Sequence, residues 1–305
     1  MAALIKRALE TALVRIGVPP LGRALMRHRA LVLAYHNVVP AGVANPGDGS
    51  LHLPVASFVA QLEALLSTHE VVPLTELAQP THARPRGRPR AAITFDDAYR
   101  GAVTIAVEEL ARRGVPATVF VCPAFVGGAP FWWDVLAAAR GGGLDPVVRE
   151  LAISELRGCA PAVQEWATAR GLAQAAVPEM ATAASEQELR QAVRHAGISL
   201  GSHSWSHANL TRLAAAELSA ELVRPLEWLR ARFDRVVPWL SYPYGLSSPA
   251  VERAAAEAGY AAALRIDGGW VGETPTAWYT LPRLNIPVGL SLNGFVLQGA
   301  GIRVR

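Results

Sequence analysis

The feature that most constrains this chain is a repeated alternation. Short apolar runs occur at Leu31–Tyr35, Ala91–Phe95, Ala117–Val121, Ile198–Gly201 and Val236–Ser241. Weaker runs follow at Val71–Leu74, which Pro73 interrupts, and at Ala261–Leu264 and Thr280–Ile286. Between them the apolar residues recur at helical spacing: over Phe58–Leu66, over 101–112 with Gly114 as the stop, over 211–232 with Thr211 as N-cap, and over 249–258 before Gly259. Continuous apolar runs mark strands buried on both faces, and strands separated by helices pair in parallel. The expected fold is therefore α/β, a distorted (β/α) barrel of about seven strands. The long stretch between the runs at 117–121 and 198–201 reads as a helical insertion, 127–190, on the barrel rim. With 305 residues, 51% of them apolar, the chain can build one such barrel and is not disordered or fibrous.

The charge is unevenly distributed. Residues 1–30 carry Lys6, Arg7, Arg15, Arg23, Arg27 and Arg29 against the single acid Glu10, so the remainder is close to neutral in a chain of net charge +4. Leu4, Ile5, Leu9, Leu13 and Ile16 fall on one side of a helical wheel. Residues 1–30 are thus expected to form a basic amphipathic helical segment. Such a segment either covers one end of the barrel or lies on an anionic membrane surface. Charges interrupt its apolar residues, so it does not read as a signal peptide, and no run is long enough to span a bilayer. The expected location is cytoplasmic, with peripheral contact at the inner membrane face. A second basic cluster, Arg84, Arg86, Arg88 and Arg90, lacks interleaved aromatics and reads as a solvated loop, so no nucleic-acid partner is expected. Cys122 and Cys159 form no CxxC pair and read as free thiols.

In parallel barrels the chemistry sits at the carboxyl ends of the strands. Three strand ends carry polar clusters. After Ile93-Thr94-Phe95 come Asp96 and Asp97; such a pair alone is often a helix cap. After Ile198–Gly201 come His203 and His207, whose four-residue spacing would put both imidazoles on one face of a helical turn, within reach of one metal ion. After Val236–Ser241 come Tyr242, Pro243, Tyr244 and Gly245, where Gly245 permits a tight turn.

In this order and rough spacing, Thr94-Phe95-Asp96-Asp97, His203-Ser204 through His207, and Pro243-Tyr244-Gly245 resemble the motifs of the polysaccharide deacetylase family. This is carbohydrate esterase family 4, the nodulation-protein-B homology domain. Gly114 through Phe120 is similar to the start of the family's next strand; the resemblance covers residues 30–290, within a deacetylase domain expected at 31–300. It implies a hydrolase that removes N-acetyl groups from an amino-sugar glycan or a lipid-linked glycan precursor. It implies Asp97, His203 and His207 as metal ligands, and Asp96 as the base. It also implies the Tyr244 N–H as oxyanion donor, with Tyr242, Pro243 and Gly245 at the substrate. Zn²⁺ suits the ligand set, and Co²⁺, Ni²⁺ or Fe²⁺ also fit.

The sequence departs from the family twice. Ser241 stands where an arginine usually begins the third motif, and Leu281-Pro282-Arg283-Leu284-Asn285 lacks the histidine that usually serves as acid. Arg283 is therefore the candidate for the missing arginine beside Asp96. His36, at the end of the first strand, is either the acid, a substrate contact or a structural histidine. Trp205 is either a sugar-stacking wall or packing. Two other readings keep the same residues: a related amide or ester hydrolase with a non-polymeric substrate, or a glycan-binding protein without activity.

Overall fold

The alternation of inward and outward side chains builds the barrel and also decides what reaches its mouth. The computed structural model describes residues 2–44, 46–78, 87–272, 275 and 277–304. Arg84 and Arg86 of the second basic cluster lie outside these residues. Seven parallel strands form the wall: Arg29–Tyr35, Arg90–Phe95, Ala117–Val121, Ile198–Ser202, Val236–Ser241, Ala262–Leu264 and Leu284–Asn285. They pair in that order. The first and second run in register from Ala30 opposite Arg90 to Tyr35 opposite Phe95. A bridge from Leu264 to Leu281, and the pairing of Leu33 and Ala34 with Leu284 and Asn285, bring the last strand back to the first. Two short strands add to the wall at its amino end: Trp270–Gly272, antiparallel to the first strand, and Glu70–Val71, beside the second. The latter ends before Pro73, so the expected strand at 71–74 shrinks to its beginning and a 3-10 turn at Leu74–Ala78 replaces the rest. Proline lacks the N–H that a ladder needs.

Period-two alternation divides the wall into two faces. Val32, Ala92, Phe120, Trp239, Ala262, Leu264 and Leu281 pack together inside the barrel. Leu31, Leu33, Ile93, Phe95, Val119 and Leu200 face the outer helices. Leu240, Tyr242 and Ala263 meet the helices Ala215–Arg232 and Pro249–Glu257. Followed to the strand ends, the inward parity runs through His36, Thr94, Asp96, Ser241 and Arg283, all at the carboxyl mouth.

The insertion contributes helices Trp132–Ala138, Pro146–Ser154, Ala160–Ala169 and Glu186–Ala192. Its Phe131, Trp132, Trp133, Ala152 and Val163 join the same core as the outer face of the barrel. The expected helix at 101–112 begins as a π-helical turn, Ala102–Ala106, before α-helix Val107–Ala111, and Gly114 follows with φ 63°. Thr211 is not the cap of the long helix. It lies in a 3-10 turn, Leu210–Arg212, and the helix starts at Ala215, where the Glu217 carboxylate accepts the Ala214 N–H at 3.0 Å.

At the other end of the chain, helix Ala2–Arg15 lies against helix Leu292–Gln298, and helix Val18–Met26 leads into the first strand. No described helix is long and apolar enough to cross a membrane.

Candidate active site

Asp96 and Asp97 leave the second strand in opposite senses. Asp96 continues the inward parity, while Asp97 and Ala98 turn away with φ of 69° and 50°. Left-handed conformations are costly for non-glycine residues and persist where the surroundings enforce them. Three more stand close by: Ser204 at 64°, His207 at 58° and Tyr244 at 59°. Four of the five belong to the three motifs, and Ala98 directly follows the first.

Asp96 is clamped by Arg283. Nη1 donates to Oδ1 at 2.8 Å and Nη2 to Oδ2 at 2.7 Å. Arg283 is fully buried and uses its remaining donors on Thr94 Oγ1 at 3.0 Å, Ser241 Oγ at 2.7 Å and the Arg265 carbonyl at 3.1 Å. Burial alone would push the Asp96 carboxyl up, but the Arg283 charge and hydrogen bonds, with the charges of His203 and His36, hold it well below the ordinary carboxylate range. Asp96 is therefore ionised at neutral pH. Ser241 accepts a bond from the guanidinium that its own position lacks.

The two histidines do not sit on a helical turn. Residues 203–209 form an irregular loop, with Ser204 and His207 both left-handed. The Ser204 hydroxyl accepts the His207 N–H at 3.0 Å. Glu221, one helix away, accepts the N–H groups of Trp205 at 3.0 Å and Ser206 at 2.9 Å. This bent loop brings the imidazole centroids to 4.8 Å. His203 Nε2 and His207 Nε2 then stand 3.5 and 3.3 Å from Asp97 Oδ1.

These three side chains fit a metal ion. All are buried, and their ligand atoms lie within 4.8 Å of one another. Asp97 Oδ1 has no hydrogen-bond partner although it is buried, an unfavourable state for a carboxylate oxygen that a cation would relieve. His203 Nδ1 donates to the Ser241 carbonyl at 2.7 Å, which leaves the Nε2 lone pair facing Asp97. Burial holds the His203 imidazole down, to about 4, against the pull of Asp96, so it is the neutral ligand form. His207 Nδ1 has no such partner; its ring is instead held by Trp133 at 4.7 Å and Tyr244 at 4.6 Å. Trp133 Nε1 in turn donates to Tyr99 Oη at 2.8 Å, and Tyr99 donates to Asp134 at 2.6 Å. Cys122 is buried and its thiol donates to the His203 carbonyl at 3.1 Å, outside the cluster; Cys159 is also free.

The remaining expected residues divide. His36 follows Tyr35, whose carbonyl accepts the Asp96 N–H at 2.9 Å, which places it beside the two aspartates. Tyr244 and Pro243 sit in the turn Pro243–Gly245. Gly245 is needed there: it has φ 70°, and a Cβ would stand 2.2 Å from Ile266 Cγ1. The Tyr242 side chain lies away from the cluster. Its parity is outward, its side chain is fully buried, and its hydroxyl donates to the Tyr279 carbonyl at 3.0 Å. Trp205 carries the Arg224 guanidinium 4.0 Å from its ring centroid and makes none of the described ring contacts with the histidines. The aromatics nearest His207 are Trp133 and Tyr244, with Phe131 beyond them at 6.3 Å. The sequence signal for the first was Phe131-Trp132-Trp133-Asp134, which reads as rim; Glu221 carried no signal within its helix.

A parallel barrel with a buried Asp-His-His cluster and a clamped second aspartate at its mouth has the layout of a hydrolytic enzyme. The chain belongs to the polysaccharide deacetylase family, whose model matches residues 83–263, more than half of its length. Among solved structures it is similar to a Streptococcus pyogenes deacetylase, PplD, in complex with acetate: 14% identity, TM-score 0.58, covering 88% of this chain and 96% of that one. It is also similar to IcaB from Ammonifex degensii, at 16% identity and TM-score 0.60, covering 90% and 96%. A polysaccharide deacetylase from Bacillus cereus aligns at 16% identity and TM-score 0.62, covering 89% of this chain and 68% of the other. No curated protein matches the sequence. At these identities the structural likeness speaks for the fold, and glycan deacetylation is the activity that the family supports.

Proposed function

We propose that this protein is a metal-dependent N-deacetylase of an amino-sugar glycan or a lipid-linked glycan precursor. The observation that carries the reading is the buried Asp97–His203–His207 cluster, with its unpartnered carboxylate oxygen, beside the Asp96–Arg283 pair. A divalent ion held by Asp97, His203 and His207, Zn²⁺ being the best match to one carboxylate and two imidazoles, would polarise the acetyl carbonyl and make water more acidic.

The chain's own groups supply the rest. Asp96 takes the proton of the attacking water; Arg283 keeps it ionised and fixes its plane. Water oxygen adds to the acetyl carbon, and the Tyr244 N–H donates to the oxygen that becomes negative. His36, next to Asp96 at the mouth, gives a proton to the leaving nitrogen as the C–N bond breaks, yielding acetate and a free amine. Arg283 thus stands in for the family's arginine and His36 for its missing acid.

The test is acetate release from N-acetylglucosamine oligomers, with and without a chelator and re-added Zn²⁺ or Co²⁺. Chelator-sensitive release supports the reading. Release unaffected by exhaustive chelation overturns metal dependence, and a chain that binds one metal yet releases acetate only from other amides or esters overturns the substrate.

A further inference from the structure

We propose that the N-terminal pair of helices, Ala2–Arg15 and Val18–Met26, holds the protein on an anionic lipid surface. The motivating observation is that burial on this segment is inverted. Glu10 is the buried residue of the first helix, 3% exposed, and its carboxylate accepts the Ser291 hydroxyl at 2.6 Å. Beside it Asn293 Nδ2 donates to Thr11 Oγ1 at 3.0 Å. The helix therefore docks onto Leu292–Gln298 through polar groups. Its apolar residues Leu4, Ile5 and Leu9 point outward, and Ile16, Leu21 and Leu25 extend the surface, with Ile16 74% and Leu25 76% exposed.

Among the described residues these six are most of the exposed large hydrophobics; the others, Val147, Leu246 and Leu292, are scattered apart from Leu292, which adjoins the segment. Exposed apolar residues concentrated on one segment of an otherwise well-buried protein mark an interaction site.

Charge selects the occupant. Lys6, Arg7 and Arg15 are exposed on the first helix and Arg27 just after the second, and the segment's only acid is the one that is buried and hydrogen-bonded. The exposed charges of the segment are thus all positive and stand among its exposed apolar residues. A second copy of this chain would bring like charges together across the contact, which disfavours self-association. A leaflet of anionic lipid takes both parts: headgroups meet the arginines and acyl chains take the leucines. The helices, of 14 and 9 residues, are too short to cross a bilayer, so they lie in its interface.

The test is flotation of the full chain with vesicles of phosphatidylcholine alone or with phosphatidylglycerol added, at low and high salt. Binding is expected only with the anionic lipid, weakening as salt rises. Ile16→Gln/Leu21→Gln/Leu25→Gln should lose at least tenfold in vesicle affinity. Lys6→Gln/Arg7→Gln should lose about fivefold per charge. Both variants should keep the wild-type melting temperature and turnover of a soluble substrate. Absence of binding by the folded wild-type chain overturns the proposal. So does equal binding to both vesicle types, or a dimer in sedimentation velocity that the leucine variant abolishes.

Discussion

Arg283 and Asp96 form a bidentate, fully buried ion pair between residues 187 positions apart in the chain. The guanidinium comes from the residue just before the last strand of the barrel and reaches the end of the second, because both side chains carry the inward parity. Each carboxylate oxygen receives its own N–H, which fixes the carboxylate plane as well as its charge.

Removing the arginine should therefore cost both stability and rate. Arg283→Gln leaves Asp96 buried without its countercharge, a loss of about 3–5 kcal/mol. Arg283→Lys keeps a charge but not the two-pronged contact. We expect it to lower kcat about 100-fold with metal content unchanged, read from acetate release and metal analysis of the same preparation. Unaltered kcat in a folded Lys variant would remove Arg283 from the mechanism.

The two adjacent aspartates should separate in their effects. Asp96→Asn is expected to reduce turnover by about 10²–10⁴-fold while one metal per chain remains. His203→Ala and His207→Ala should instead lose the metal, and added Zn²⁺ should not restore wild-type affinity. If Asp96→Asn also empties the site, Asp96 is a ligand and not the base.

Gly245 makes a packing prediction. Alanine there must adopt φ 70° and overlap Ile266 Cγ1, so Gly245→Ala should cost about 2–4 kcal/mol and displace the Tyr244 turn. Ile266→Ala vacates the space. The double variant should be more stable than the sum of the two single losses, a coupling that denaturant titration of all three variants will measure.

The pH dependence of stability should carry a signature of His69. Burial, reinforced by the Arg23 charge, holds this imidazole down to about 4, below its ordinary 6.5. Below pH 6.5 the unfolded chain takes up the proton that the folded chain refuses. Stability is therefore full above that pH and falls as pH drops toward 4, by on the order of 3 kcal/mol from this group. His69→Gln should flatten the profile of melting temperature across that window. A profile with the wild-type slope would show that other groups govern it.

The strand alternation and the barrel class were legible in the order of the apolar runs, and the resemblance of the motifs just beyond them pointed to Asp96, Asp97, His203, His207 and Tyr244. It also marked Arg283 as the substitute for a missing arginine, on the strength of a departure from the family motif. The rest depends on contacts between residues distant in sequence. The helical turn expected for the two histidines became a loop with two left-handed residues, held by Glu221, since backbone N–H groups there found a carboxylate on another helix instead of each other. Tyr242 went outward because register fixes parity, and a motif read as a string carries no parity. Helix Ala2–Arg15 turned its one acid inward and Leu4, Ile5 and Leu9 outward, since the partner that covers Glu10 is a serine 281 residues away. Hydrophobic periodicity tells which residues share a face; only the packed fold tells which face is covered.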